Sequence, residues 1–198
     1  MAATGGEIAI EPGTIVTPLA RDEADRRKIR IRFEELKSGN VPGEKTKSRI
    51  VAIGADHGGF DLKEQLKEYL RDWRYVVLDL GTSSSDPVDY PDFAEAVANA
   101  VARGEAWRGV VIDSAGIGSS IAANKVPGAR AALCYDRPTA RNSREHNDAN
   151  ILSLGARLIP AEAAREILAV WLETPFAGGR HEKRIDKIRA IETRHSKP

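Results

Sequence analysis

The sequence predicts an α/β protein: a Rossmann-like, doubly wound five-stranded parallel sheet carrying an N-terminal helical extension. Three observations lead there. From Arg49 onward, short apolar runs alternate with amphipathic stretches, and parallel neighbours need crossovers that cover both sheet faces. The run Gly109-Val-Val-Ile112 breaks into Asp113-Ser-Ala-Gly-Ile-Gly118 and restarts as Ile121-Ala-Ala, as a buried strand does when it turns sharply into a helix. The first 48 residues have a different, charge-dense texture, which divides the chain into residues 1–48, an extension and linker, and residues 49–198, the domain.

Taken in order, Arg21 to Lys37 reads as an extra helix, with Ile29, Ile31, Phe33 and Leu36 as its few apolar points. Ser38 to Lys47 is rich in Gly and Pro and reads as a tether. Such an arm is expected to pack on a neighbouring subunit rather than to carry chemistry. Ile50 to Gly54 is a short buried strand, and Phe60 to Trp73 is a helix with Leu62, Leu66, Tyr69 and Leu70 on one face. Val76 to Leu80 is the second strand. A loop from Gly81 to Pro91 and a helix from Asp92 to Arg103 follow. Val110 to Ile112 is the third strand, and the helix after it is expected to start near Ser119. Ala129 to Cys134 is a fourth strand, Arg137 to Glu145 a short helix, Ile151 to Gly155 a fifth strand and Ala161 to Glu173 a long helix. Beyond Gly178-Gly-Arg-His181 the chain ends in a helix through Ile185, Ile188 and Ile191.

Composition narrows the function classes. Thirty basic residues against 29 acidic ones leave a formal net charge of +1, too weak a field to imply nucleic acid or an anionic membrane as partner. Anion binding must therefore come from locally placed Arg or His. Cys134 is the single cysteine, so there is no internal disulfide, and neither a CxxC nor a Cys/His metal spacing occurs. A cytoplasmic setting follows most simply. No run reaches the ~20 apolar residues of a membrane span, and Met1 to Glu7 has neither region of a signal peptide.

Ligands on a doubly wound sheet sit at the carboxyl ends of the strands, where this chain is read as carrying Asp56 and His57, Asp113 and Ser114, and the segment near His146. Gly116 and Gly118 remove the Cβ atoms that would block a tight loop, and such a turn aims backbone N–H groups at a phosphate or a developing oxyanion. Two glycines at a βα turn also occur in any α/β domain. Asp113 is the one side chain of that loop able to act as a base. His57, His146 and His181, three of the four histidines, lie in polar stretches flanked by Gly or Arg rather than on apolar faces. Arg130, Arg157, Arg180 and Arg184 lie at strand ends or beside His181, where they read as solvated charge or as guanidinium clamps on a phosphate.

Gly54 to Phe60, Asp89-Tyr-Pro91, Gly116-Ile-Gly118 with Ile121 to Lys125, Glu145 to Asn150 and Gly178 to His181 together resemble the ribose-5-phosphate isomerase B family, which includes the galactose-6-phosphate isomerase subunits. The resemblance runs from about Ile50 to Ile191 and leaves the first 48 residues outside. It implies an aldose–ketose isomerase for a phosphorylated sugar, with no cofactor and no metal, working as a homodimer or a dimer of dimers with each active site between two subunits. It further implies that Asp56 and His57 contact the sugar and its phosphate, that His146 opens the sugar ring, and that Asn147 touches substrate beside it. Arg157, Arg180, His181 and Arg184 resemble the phosphate-binding residues, part of them reaching across from the partner chain. Backbone N–H groups from Ser114 to Gly118 would form the oxyanion hole for an enediolate.

The departure is at the base. Many members of that family carry a cysteine at the position of Asp113, and others a glutamate at that of Ser119; this chain has neither, and Cys134 falls inside the next strand. A carboxylate held within about 3 Å of the reacting carbon and shielded from water suffices physically, and a galactose-6-phosphate isomerase subunit carries aspartate here too. Asp113 is therefore expected to move the proton between C1 and C2. The expected reaction is of the ribose 5-phosphate/ribulose 5-phosphate type. The rivals are another four-to-six-carbon phosphosugar, of galactose-6-phosphate or tetrose-phosphate type, and a non-catalytic subunit that only binds a sugar phosphate. A nucleotide-binding protein is disfavoured, because Gly54-Ala-Asp-His-Gly-Gly59 is not G-x-G-x-x-G and no Walker lysine occurs.

Overall fold

The structure is a computed structural model and describes residues 6–11, 14–33 and 49–195. In chain order it contains β1 (Glu7–Ile10), β2 (Ile15–Val16), α1 (Pro18–Arg26), β3 (Arg30–Phe33), β4 (Ile50–Ala55), α2 (Phe60–Asp72), β5 (Val76–Asp79), α3 (Tyr90–Ala102), β6 (Arg108–Asp113), α4 (Ile117–Ala123), β7 (Ala131–Leu133), α5 (Arg137–Glu145), β8 (Ile151–Gly155), α6 (Ala161–Glu173), a 3-10 turn (Gly179–His181) and α7 (Glu182–His195). The main sheet is parallel throughout, in the order β2-β5-β4-β6-β8-β7. Connections leave β4 towards β5 on one side and cross back over it to β6 on the other. The switch in strand order therefore falls between β4 and β6, where an open α/β sheet forms its ligand crevice.

Period-two burial sorts the strands between two cores. Val51 and Ile53 of β4 join Leu62, Leu66 and Leu70 of α2 and Ile167, Leu168 and Trp171 of α6. Ile50 and Ala52 point to the opposite face, against Ala94, Val97, Ala98 and Val101 of α3. On that face α3 lies so close that a Cβ at Gly54 or Gly109 would come within 2.8 and 2.6 Å of the Val97 methyls. Arg108, buried at the start of β6, ties off the end of α6: Nη1 donates to the carbonyls of Trp171 (2.5 Å) and Leu172 (2.8 Å), and Nη2 to that of Thr174 (3.1 Å).

The extension differs from the single helix expected. Its helix covers only Pro18–Arg26, capped by Thr17, whose Oγ1 accepts from the Ala20 N–H. Lys28 then takes a positive φ of 53°, and Arg30–Phe33 runs as a strand paired in parallel with Glu7–Ile10. Ile29, Ile31 and Phe33 follow one another at intervals of two, which is strand spacing. Among the described residues the sheet also has six strands rather than five, because Ile15–Val16 pairs with Val77–Leu78 along the outer edge of β5, so the described part of the extension packs on its own chain rather than, as expected, on a neighbouring subunit. The tether from Ser38 to Lys47 and the residues 34–37 of the expected helix lie outside the described residues. Smaller differences follow from caps: α3 begins at Tyr90, where Pro91 fits the first turn, and α4 begins at Ile117 rather than near Ser119.

Candidate active site

The carboxyl ends of β4 and β6 bring Asp56, His57, Asp113 and Ser114 to one crevice. Asp56 is buried, and its Oδ1 accepts from the Gly59 N–H at 3.0 Å. A Cβ on Gly58 would stand 2.4 Å from Ser114 Oγ and 3.3 Å from Asp56 Oδ1, which measures how tightly these residues meet. His57 is exposed, with Nδ1 3.2 Å from the Val88 amide nitrogen and 3.1 Å from the Val88 carbonyl oxygen. Whichever tautomer is present, Nδ1 is engaged and Nε2 is left for a ligand.

Asp113 is buried at the end of β6. Its Oδ1 accepts from the N–H groups of Ala115 (2.8 Å) and Gly116, and its Oδ2 from that of Ser119 at 2.8 Å. Gly116 makes this wrap possible by its positive φ of 79°, and a Cβ there would also meet the Leu154–Gly155 backbone at 2.8 Å. Gly118 lies under Tyr90, whose ring carbon Cζ would be 2.5 Å from an added Cβ. The loop is pinned to β8 as well: the Ala156 and Arg157 N–H groups donate to the carbonyls of Asp113 and Ser114, which sets Arg157 beside the crevice.

The other expected site residues stand at the opposite edge of the sheet. α5 follows β7 and runs antiparallel to the strands, so His146, its C-cap, and Asn147 sit at the amino edge, before β8 begins. His146 Nδ1 pairs with the side-chain amide of Asn142 at 2.8 Å. The His181 ring stacks on the His146 ring with centroids 4.2 Å apart and planes 7° from parallel, and Arg180 Nε donates to His181 Nε2 at 3.4 Å. His181 Nδ1 is buried without a hydrogen-bond partner. Burial, then the charges of His146, Arg180 and Arg184, hold the His181 imidazole below its ordinary pKa. Asn147 lines a cleft with Lys125, Arg130, Ile188 and Ile191. Arg130 is engaged elsewhere, its guanidinium on Asp148 at 2.8 Å.

The expected site residues of one chain thus fall into two groups. Asp56, His57, Asp113, Ser114, Gly116, Gly118 and Arg157 lie at the carboxyl edge; His146, Asn147, Arg180, His181 and Arg184 lie at the amino edge. The length of β8, roughly 16 Å of extended chain, separates the two. Sequence reasoning missed three supports: Asn142, Tyr90 and the Val88 backbone. Asn142 had a signal, since it precedes His146 by four residues on one helix; so had Tyr90, as part of Asp89-Tyr-Pro91. Among the described residues no group of three His, Cys, Asp or Glu is placed to hold a metal ion, and no helix is long and apolar enough to cross a membrane.

Fold and site together define a class: a doubly wound α/β protein with a carboxylate-bearing glycine loop at its switch point and an imidazole–guanidinium cluster on its far edge. The family follows from comparison. The model of the Ribose/Galactose Isomerase family matches residues 51–188. Ribose-5-phosphate isomerase B of Escherichia coli is 44% identical over 146 residues, 74% of this chain and 98% of that protein. D-erythrulose-4-phosphate isomerase of Pectobacterium atrosepticum is 40% identical over 140 residues, 70% of this chain and 91% of that protein. The structure of Clostridium thermocellum ribose-5-phosphate isomerase B superposes with a TM-score of 0.74 at 51% identity, over 74% of this chain and 99% of that one. The chain belongs to the ribose/galactose isomerase family. It is a sugar-phosphate isomerase.

Proposed function

We propose that the chain interconverts ribose 5-phosphate and ribulose 5-phosphate through an enediolate, in sites shared by two copies of the chain. The observation that carries the substrate is the 44% identity to the Escherichia coli enzyme over 98% of its length. The sharing is supported by the two half-sites at opposite sheet edges, since the carboxyl edge of one copy must meet the amino edge of another to assemble all the expected groups. Apolar side chains suited to such a contact are exposed near both edges: Ile117, Ile121 and Leu158 at one, Ile188 and Ile191 at the other.

In this reading His146 moves a proton between the ring oxygen and the C1 hydroxyl, which opens the cyclic sugar. Asp113 then takes the proton from C2 and the electron pair left behind forms the enediolate with its charge on O1; the O2 hydroxyl proton passes to O1, and the same carboxyl returns its proton to C1 as C2 becomes the carbonyl. Two of the three N–H bonds fall on Oδ1 and one on Oδ2, so Oδ2 keeps a lone pair for the transfer. The amides of Ala115 and Gly116 already face this carboxylate, and the oxyanion role passes to those of Ser114, Ile117 and Gly118. Asp56 and His57 contact the sugar and its phosphate, Asn147 contacts the sugar, and Arg157, Arg180, His181 and Arg184 hold the phosphate.

The identity to the Pectobacterium enzyme supports a second reading, a four-carbon phosphosugar. Incubation with a panel of aldose and ketose phosphates in deuterium oxide separates the readings. Solvent deuterium should enter C1 or C2 of ribulose or ribose 5-phosphate fastest. Exchange confined to a tetrose phosphate would move the assignment to that substrate, and no exchange on any sugar would leave a binding subunit.

A further inference from the structure

His57 sits between two chain segments, the end of β4 with the first turn of α2 on one side and the Leu80–Asp89 loop on the other, and one buried carboxylate holds both. Asp79, the last residue of β5, is 2% exposed. Its Oδ1 accepts from the Gly81 N–H at 3.0 Å, at the root of the loop whose Val88 backbone grips His57 Nδ1. Its Oδ2 accepts from Lys63 Nζ at 2.8 Å and Lys67 Nζ at 2.6 Å, both on α2. Lys63 is 1% exposed and stands one turn into the helix that follows His57. Glu64, more exposed, closes the cluster with bonds to both ammoniums. The loop is also tied to β4, since the Thr82 N–H donates to the Ala55 carbonyl at 3.0 Å.

Holding α2 on β5 does not call for charge. Removing ammoniums and a carboxylate from water is costly, and apolar side chains of the same volume would clamp the two elements at least as well. What the charged cluster adds is direction, because one carboxylate with two separate faces fixes the loop relative to the helix. We propose that Asp79, with Lys63 and Lys67, is a positioning residue for the His57 imidazole. It sets the distance between the Val88 backbone and the start of α2, and so the direction of Nε2 into the crevice. This rests on the reading of His57 as a substrate contact.

Asp79→Asn alone leaves two buried ammoniums to share the single carboxylate of Glu64 and is expected to unfold readily, so the working variant is Asp79→Asn with Lys67→Met, which restores charge balance. The first readout is the ring ¹⁵N spectrum of His57 in the ligand-free protein, which needs no turnover. The ring nitrogen shifts of His57 should differ between the wild type and the folded double variant. The second is binding of inorganic phosphate by calorimetry, in His57 and His57→Ala backgrounds. The double variant should weaken binding on the order of tenfold in the first and have little effect in the second, since a group acting through His57 has nothing left to orient. An unchanged His57 spectrum in the folded variant, or an equal loss of binding in both backgrounds, overturns the proposal. If no phosphosugar is isomerised by the wild type while the His57 spectrum responds, the positioning role stands and the isomerase reading falls instead.

Discussion

Asp113 is fixed by three amides, and that makes its replacement by asparagine more than a removal of charge. Whichever way the amide is turned, its NH₂ must face an N–H donor, either Ser119 or the Ala115–Gly116 pair. Asp113→Asn should therefore lower kcat by roughly 10²-fold or more and also cost about 1–3 kcal/mol of stability. Rates and a melting curve on one preparation check both; near-normal turnover would remove Asp113 as the base. His181 gives a prediction in pH. Its folded pKa is depressed below the ordinary 6.5, so the folded state binds fewer protons than the unfolded one. The contribution to stability is complete above the unfolded value and is lost as pH falls through the folded one. Unfolding midpoints measured from pH 8 to 5 should fall more steeply for the wild type than for His181→Gln. At this scale the sequence singled out Asp113 in a glycine loop and His146 and His181 in polar stretches, because ionisable residues in such settings stand out. It did not reveal that two rings stack or that a carboxylate faces its own loop, since those depend on side-chain directions.

Elements with a strong period were legible: α5, β8 and α6 run as expected, because long amphipathic or unbroken apolar stretches admit one reading. The extension was not. Two residues of β2 are too short for any periodic signal, and the charge-dense stretch from Arg21 mixes a helix with a strand whose two apolar residues, Ile31 and Phe33, alternate with arginines. The tie that holds the end of α6 was equally hidden, though the end itself was read at Glu173, because the residue that makes it lies more than 60 positions earlier in the chain. Replacing Arg108 by Met leaves the carbonyls of Trp171, Leu172 and Thr174 without this donor. Bonds from charged donors are worth about 1.5–3 kcal/mol each to lose, so the variant's denaturant midpoint should drop clearly with little change in slope. A midpoint equal to the wild type's would mean that water replaces the guanidinium. The charged cluster of α2 carries its own pH signature. Burial pulls the Lys67 ammonium down, but Asp79 and Glu64 outweigh it and hold it above 10.5. The stability it brings is full below that value and is lost as pH rises through the folded one.

At the scale of the whole molecule, the division of the site follows from alternation alone. Each connection from strand to helix lies on the carboxyl edge, and each from helix to strand on the amino edge, so His57 and Asp113 belong to one side and His146 to the other. Strand order was not legible in this way, because it depends on which strands meet over long separations in the chain. Mixing supplies the test of shared sites. Asp113→Asn and His146→Ala copies are each impaired at every site, yet a mixed pair has one site with both native groups. Random exchange should restore about a quarter of wild-type activity in a shared-site dimer, whereas copies with self-contained sites stay as impaired together as apart. The opposite placement of the half-sites also limits how copies can associate. Stacking one molecule's carboxyl edge on the next one's amino edge, with all strands pointing the same way, would leave an unfilled half-site at each end and grow without limit. Laid side by side with strands reversed, about a two-fold axis, two copies fill both sites at once and leave no half-site open. Under the proposed sharing of sites, the direction of the strands therefore favours a closed pair over a fibre.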